Sequence, residues 1–529
     1  MGERPGSITV FFTLVLTVVI SVLITSVSMA RRAAASYMAA LALESSVESV
    51  FAGYYLPLWE DYHLLFAADG AGLAEDVGDY LAYYEEMGLY DLTIGDIQVV
   101  DMIMAADNGG EVYLDAICED MQLHGAETLV SLITDAAAQS DIISAISEFI
   151  YGISDYSGSL TDITEQYEEL TSQSEQIAEV YDAVSEYIEG DQSSDEALES
   201  LESDIDELVG ELSEQAGAQD TETAAADAST EGSTEEASEQ TEETTGQALA
   251  AASIISALKD WSVNTVLSLA LGTGADVSDS ILASGEYPSG TIESSGAFSD
   301  STLAALEQKA MLALYSTEHF SFYGSESDDT VLTYEAEYIL CGETSDKANL
   351  AQTAERIFAL RLGMDFIYLL TDSEKSAEAQ TLAVALVGFT GISVLITAVQ
   401  VILLAAWAVA EALTDTRTLF AGGTVAFIKT ADDWQVSLSG IAEAISGTLE
   451  NTGGQSSDGV WTYERYLQLL IFMEDGEDAL LRSMDIIETD LRQADSNFYI
   501  ENCVYYAEVS AEFEYGRYTI SKTAAYGYQ

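Results

Sequence analysis

His63, His124 and His319 are the three histidines of this chain, and Cys118, Cys341 and Cys503 its three cysteines. Together such side chains could supply a general base, a nucleophile or metal ligands. Their spacing argues against each. The histidines are isolated from one another in sequence and read as structural residues rather than catalytic bases. The cysteines show neither C-x-x-C nor metal-type spacing, and read as small buried hydrophobes. A disulfide between Cys341 and Cys503, which both lie in strand-like runs, is the alternative if the domain is exported. G-x-S-x-G, H-E-x-x-H, P-loop and EF-hand patterns are absent, and "GTGADVS" from Gly272 lacks the third glycine and the preceding strand of a dinucleotide fingerprint. Carboxylate pairs such as Glu60-Asp61 or Asp328-Asp329 say little, because the chain carries 92 acidic residues. The expectation is a protein without catalytic activity, cofactor or dedicated metal site.

Those 92 acids face only 16 basic residues, a net charge of -76, and no Lys or Arg occurs between Arg32 and Lys259. Such a chain is repelled by nucleic acid and by anionic membrane surfaces, which are disfavoured as partners; divalent cations could collect on it diffusely. With 529 residues, 48% of them hydrophobic, there is ample material for a core.

The elements begin with "GSITVFFTLVLTVVISVLITSVSMARR", Gly6 to Arg32. Its uncharged part, Ile8 to Met29, reaches roughly 30 Å as a helix, the thickness of a bilayer core. Ser28-Met29-Ala30 offers small residues for a signal peptidase, but the apolar run is longer than a cleavable signal needs, which favours a retained anchor over 1–32. No Gly follows until Gly53 and no Pro until Pro57. One rod from about Ile8 to about Ala52 is therefore predicted, half in lipid and half outside, as pilins and pseudopilins are built. Arg31 and Arg32 after the span would, counted literally, keep the long C-terminal part inside; a base-poor acidic domain after an N-terminal span argues for outside. The expected localisation is the cell membrane, single-pass, with an extracellular ectodomain.

Residues 33–150 form the first part of that ectodomain, with a strand or hairpin at Asp91–Ala105 and a helix in "VYLDAICEDMQL". A heptad seam at 160–213 predicts a coiled-coil-like antiparallel helical hairpin, and 214–247 reads as an acidic disordered linker. The second part, 248–529, holds two strand-like runs, Asp328–Gly342 and Asn497–Gly516, which with Asp91–Ala105 could pair into one small antiparallel sheet. The fold class is α+β, predominantly helical. Thr381–Leu413 is uncharged as far as Ala410 and could cross a bilayer, giving a two-pass protein as the alternative. Thr390, Ser393, Thr397, Gln400, Trp407 and Glu411 make a polar stripe along it, however, and Gly388 and Gly391 can break it. A buried helical hairpin in the ectodomain core is preferred.

The opening "GSITVFF", then "ALESSVESVFAGYY" and "EDYHLLF", resemble the start of the Gram-positive membrane proteins called domain of unknown function 5702, seen alongside Tad-type (tight adherence) pilus components. Trp407-Ala408, Glu411, Asp415, Arg417, Lys429, Trp434, Tyr466-Leu467, Arg482 and Glu488 continue the likeness over roughly 6–110 and 330–515. The resemblance implies a surface-exposed, pilin-like or pilus-associated protein, with membrane lipid and other membrane helices or pilus-type subunits as partners. Prepilin-type processing would fall between Gly6 and Ser7. Five residues into the mature chain, where pilins place a glutamate, stands Phe11. The other function class is an exported adhesin or cation-responsive binding module.

Overall fold

The computed structural model describes residues 6–528 except 69, 89–91, 125–245, 259–260, 262–264, 273–276, 294–295, 300, 326–329, 389–392 and 448–459. The hairpin expected at 160–213 and nearly all of the 214–247 linker lie outside the described residues. The fold is α+β and mostly helical. Its strands, in chain order, are β1 (Leu92–Met104), β2 (Val425–Ala426), β3 (Val460–Trp461), β4 (Val504–Tyr515) and β5 (Tyr518–Gly527). Two compact units form: Met1–Ala126 with Ser284–Tyr315 and Asp475–Gln529, and Glu127–Ala283 with Ser316–Glu474.

In the first unit, helix α1 runs unbroken from Gly6 to Ala52, as the absence of internal Gly and Pro predicts. It ends where Gly53 turns the chain, its N–H donating to Val50 O at 3.0 Å. Every described side chain from Val10 to Ala33 is exposed. From Ala35 onward Ala35, Ala39, Ala42, Leu43, Val47 and Phe51 are buried at helical spacing against the Leu73–Glu86 helix and the sheet. The small side chains let the helix approach closely. The sheet is antiparallel in the order β1-β4-β5, with Val99 opposite Val509 and Phe513 opposite Ile520. Val504, Ala507, Val509, Ala511 and Phe513 give β4 its buried face. Gly516, at φ 61, takes the first central position of the β4–β5 turn, where a primed hairpin turn needs glycine.

One expected strand is corrected. The described part of Asp328–Gly342, residues 330–342, does not join the sheet: Glu335–Cys341 is a helix in the second unit, and the third strand is β5. Glu335 and Glu337 separate Tyr334, Ala336 and Tyr338 in a period of two that mimics a half-exposed strand. Both are buried, so the alternation carries no information about a pleat.

The second unit is built on the Asp346–Thr371 helix, with Ser373–Val387 and Ser393–Phe420 packed as a helical hairpin. Asp372 starts the hairpin's first helix by accepting from the N–H groups of Glu374 and Lys375 at 2.9 and 3.2 Å. Thr381–Leu413 thus folds as two helices. The polar stripe finds partners: Gln400 Nε2 donates to Ser376 O at 3.0 Å, Trp407 Nε1 donates to Val436 O at 2.7 Å, and Glu411 accepts from two backbone N–H groups.

Candidate functional site

Two charged pairs sit one helical turn apart on facing helices of the second unit: Arg361 and Asp365 on Asp346–Thr371, Glu411 and Asp415 on Ser393–Phe420. The i,i+4 spacing puts each pair on one face. Lys429, three residues past β2, completes a cluster whose five charged side chains are at most 2% exposed. Arg361 donates through Nε to Asp415 Oδ2 at 2.8 Å and through a terminal nitrogen to Asp365 Oδ1 at 2.7 Å. Its other terminal nitrogen donates to Phe427 O at 2.8 Å and Tyr466 Oη at 3.2 Å. Lys429 Nζ donates to Glu411 and, at 2.8 Å, to Asp415. Glu411 also accepts from Gln435 N and Val436 N at 2.8 and 2.7 Å. One ionic knot therefore ties two long helices to the 425–436 segment.

The cluster holds three carboxyls and two cations. Burial pushes Asp365 up to about 8, only partly opposed by Arg361 and Lys429, and its Oδ2 has no hydrogen-bond partner. Burial alone would lower Lys429; the three carboxylates outweigh it and hold the amine above its usual range. Indole rings close the outside. Lys375 Nζ lies 4.6 Å from the Trp407 ring centroid and 4.8 Å from that of Trp434, and Tyr368 stacks on Trp434 at 5.2 Å.

A second set of buried carboxylates pins loops to helices in the same unit. Glu337 Oε1 accepts from Tyr463 Oη at 2.7 Å and Tyr323 N at 2.8 Å, and burial pushes this acid up to about 7. Glu335 Oε2 accepts from the N–H and hydroxyl of Ser321, while Asp346 accepts from Ser278 Oγ, Thr333 N and Tyr334 N. Such groups, closed off from solvent and engaged with backbone, fix the loops on the helices.

The histidines, cysteines and carboxylate pairs singled out in the sequence take no part in the ionic cluster. His63, in the left-handed conformation after the Leu56–Tyr62 helix, places Nδ1 3.3 Å from Asp120 Oδ1. His124 ends the Glu111–His124 helix, and His319 is half-buried. The three cysteines are free thiols. Cys341 ends a helix rather than lying in a strand, its thiol near Thr353 Oγ1 at 3.5 Å. Burial pushes Cys118 and Cys503 up to about 12 and Cys341 up to about 11, the opposite of an activated thiolate. Glu60 and Asp61 are exposed, and Asp328-Asp329 lie outside the described residues. Gly6 and Ser7 open α1. The ionic cluster was not anticipated as a unit. Its signal is there in Arg361-x-x-x-Asp365 and Glu411-x-x-x-Asp415, charges interrupting apolar helices in a chain with few bases.

Among the described residues two helices are long and apolar enough to cross a membrane, and they differ in burial. None of the apolar window of α1 is buried, against 78% for Val399–Phe420. Comparison with known proteins adds one match: a family described as a family of unknown function (DUF5702), over residues 244–515, a range that contains the whole ionic cluster. No curated protein and no solved structure matches the chain.

Proposed function

We propose, for a chain that belongs to the DUF5702 family, the role of a membrane-anchored surface protein, a pilin-like or pilus-assembly-associated structural component without catalytic activity. The observation that carries this reading is the division of α1. Its first 24 or so described residues are apolar and wholly exposed, and the same unbroken helix then becomes the spine on which an antiparallel sheet packs. The apolar run is longer than a cleavable signal needs and continues without a break into the packed part of the helix, which favours retention. The lipid-facing half is free to pack with other membrane helices, which is how subunits of a pilus-type assembly would meet.

The Tad-type setting and a Gram-positive envelope come from the resemblance in the sequence, as does the absence of turnover. The closed ionic cluster supports the latter: its groups hold helices together and offer a solute no access. A single pass is favoured by the burial of Val399–Phe420, and an outward C-terminal bulk by its base-poor acidic composition. Fractionation tests the anchor. The full chain should stay in the membrane pellet after carbonate and high-salt washing, and soluble protein beginning near Arg31 would overturn it. Shearing intact cells and probing the released filaments for the chain tests the pilus assignment.

A further inference from the structure

Burial along α1 changes at one level, between Ala33 and Ala35, and Arg31 and Arg32 stand there, just past the apolar stretch that ends at Met29. The tip of the β4–β5 hairpin comes to the same level. The guanidinium of Arg32 lies 4.3 Å from the centroid of the Tyr518 ring. That of Arg517 lies 5.2 Å from the same centroid and donates to Tyr518 Oη at 3.1 Å. At the other end of the pair, Phe51 meets Tyr526 and Tyr528 with ring centroids 5.3 and 5.4 Å apart. Helix and strand therefore run side by side in the same direction: from Arg32 to Phe51 is roughly 28 Å of helix, and from Tyr518 to Tyr526 roughly 26 Å of strand. The geometry holds the Gly516-Arg517 turn where the chain leaves its apolar segment.

The charge at this tip runs against the rest of the molecule. The chain carries -76, yet Arg31, Arg32 and Arg517 are all exposed, and among the described residues none forms an ion pair with a carboxylate. Arginines left unpaired in so acidic a protein are set for an anion from elsewhere. Guanidinium groups match phosphate oxygens with paired N–H donors, and a tyrosine with an apolar ring and polar tip suits the headgroup layer.

We infer that Arg31, Arg32, Arg517 and Tyr518 form a binding site for the headgroup phosphates of anionic lipids in the leaflet next to the first unit. The site rests on the anchor reading above. It gives the unit a second point of attachment, off the axis of α1, that limits its rotation and tilt, and it is a local exception to the repulsion between this chain and an anionic surface.

The test reconstitutes the full chain in vesicles of phosphatidylcholine containing a minor fraction of phosphatidylglycerol, and measures the relative association of spin-labelled forms of the two lipids with the protein. The expected result is a several-fold preference for phosphatidylglycerol that each single Arg→Gln substitution lowers. Arg31→Gln/Arg32→Gln/Arg517→Gln should abolish it, and Arg517→Lys, which keeps the charge, should retain most of it. Equal association of the two lipids with the wild-type chain, or a preference that survives the triple substitution, would overturn the site. Flotation with pure phosphatidylcholine vesicles reads the anchor separately. A chain that floats without lipid preference refutes the site alone, and a chain that fails to float refutes the anchor with it. The replaced side chains are exposed, so unchanged circular dichroism should accompany the loss of preference.

Discussion

Arg361 and Asp415 are joined by a 2.8 Å bond between two side chains that are fully buried, on helices whose residues are 54 positions apart. Removing one partner leaves the other charge in a medium that cannot hydrate it. Arg361→Met removes one of the two cations bonded to Asp415, leaving Lys429 alone against three buried carboxyls, and takes a donor from Phe427 O and Tyr466 Oη as well. The expected loss is roughly 3–5 kcal/mol. Chemical denaturation of the full chain in detergent reads it, and a variant as stable as wild type would show that water or a rearranged Lys429 replaces the guanidinium.

Asp365 gives the cluster a pH dependence. An ordinary aspartate titrates near 3.9, and burial raises this one to about 8 in the fold. Between those values the folded state binds the proton more tightly than the unfolded chain, so stability is greatest at low pH and declines as pH rises through 8. The slope for one group is at most about 1.4 kcal/mol per pH unit. Arg361, Lys429, Asp415 and Glu411 are the charges that face it. Asp365→Asn keeps an oxygen for Arg361 and cannot ionise. Its Tm should fall less than that of the wild type between pH 6 and 9, and parallel curves would refute the assignment.

What the sequence discloses depends on how local the signal is. An uncharged run without Gly or Pro announces α1 within a residue or two of its ends, and β-branched alternation announces β1. The β5 segment, "YTISKTAAYG", is polar and alanine-rich, so its hydrophobic alternation is faint; what commits it is pairing through the Gly516 turn. The Glu335–Cys341 segment misleads for the reverse reason. A buried glutamate looks like a solvent-facing one until its donors, Tyr463 and Tyr323, are brought to it from distant parts of the chain. The ionic cluster is half legible: both i,i+4 pairs are visible, but the return of Lys429 to Glu411 is a tertiary event.

On the single-pass reading proposed above, the sequence before and after the Ser373–Phe420 hairpin lies on one side of the membrane. In a background with Cys118, Cys341 and Cys503 replaced, Lys347→Cys and Ser521→Cys provide exposed probes on either side of the hairpin. An impermeant thiol reagent applied to intact, wall-stripped cells should label both. Labelling at 347 alone, with 521 reached only after lysis, would establish a second span.

The last prediction separates the two halves of α1. Ala39 is fully buried against the sheet and the Leu73–Glu86 helix, whereas Leu16 is 57% exposed and meets nothing but the surroundings of the helix. With Ala39 fully enclosed in the core cluster, Ala39→Leu must displace its neighbours or adopt a strained rotamer. Overpacking of this kind costs about 1–3 kcal/mol. Leu16→Ala removes apolar surface without touching the core. Thermal unfolding of the full chain in detergent should therefore show a lowered Tm for Ala39→Leu and an unchanged Tm for Leu16→Ala, while both variants remain in the carbonate-washed membrane pellet. If Leu16→Ala also lowered the Tm, the exposed half of α1 would have a protein partner within the chain, and the division between lipid-facing stem and packed spine would fail.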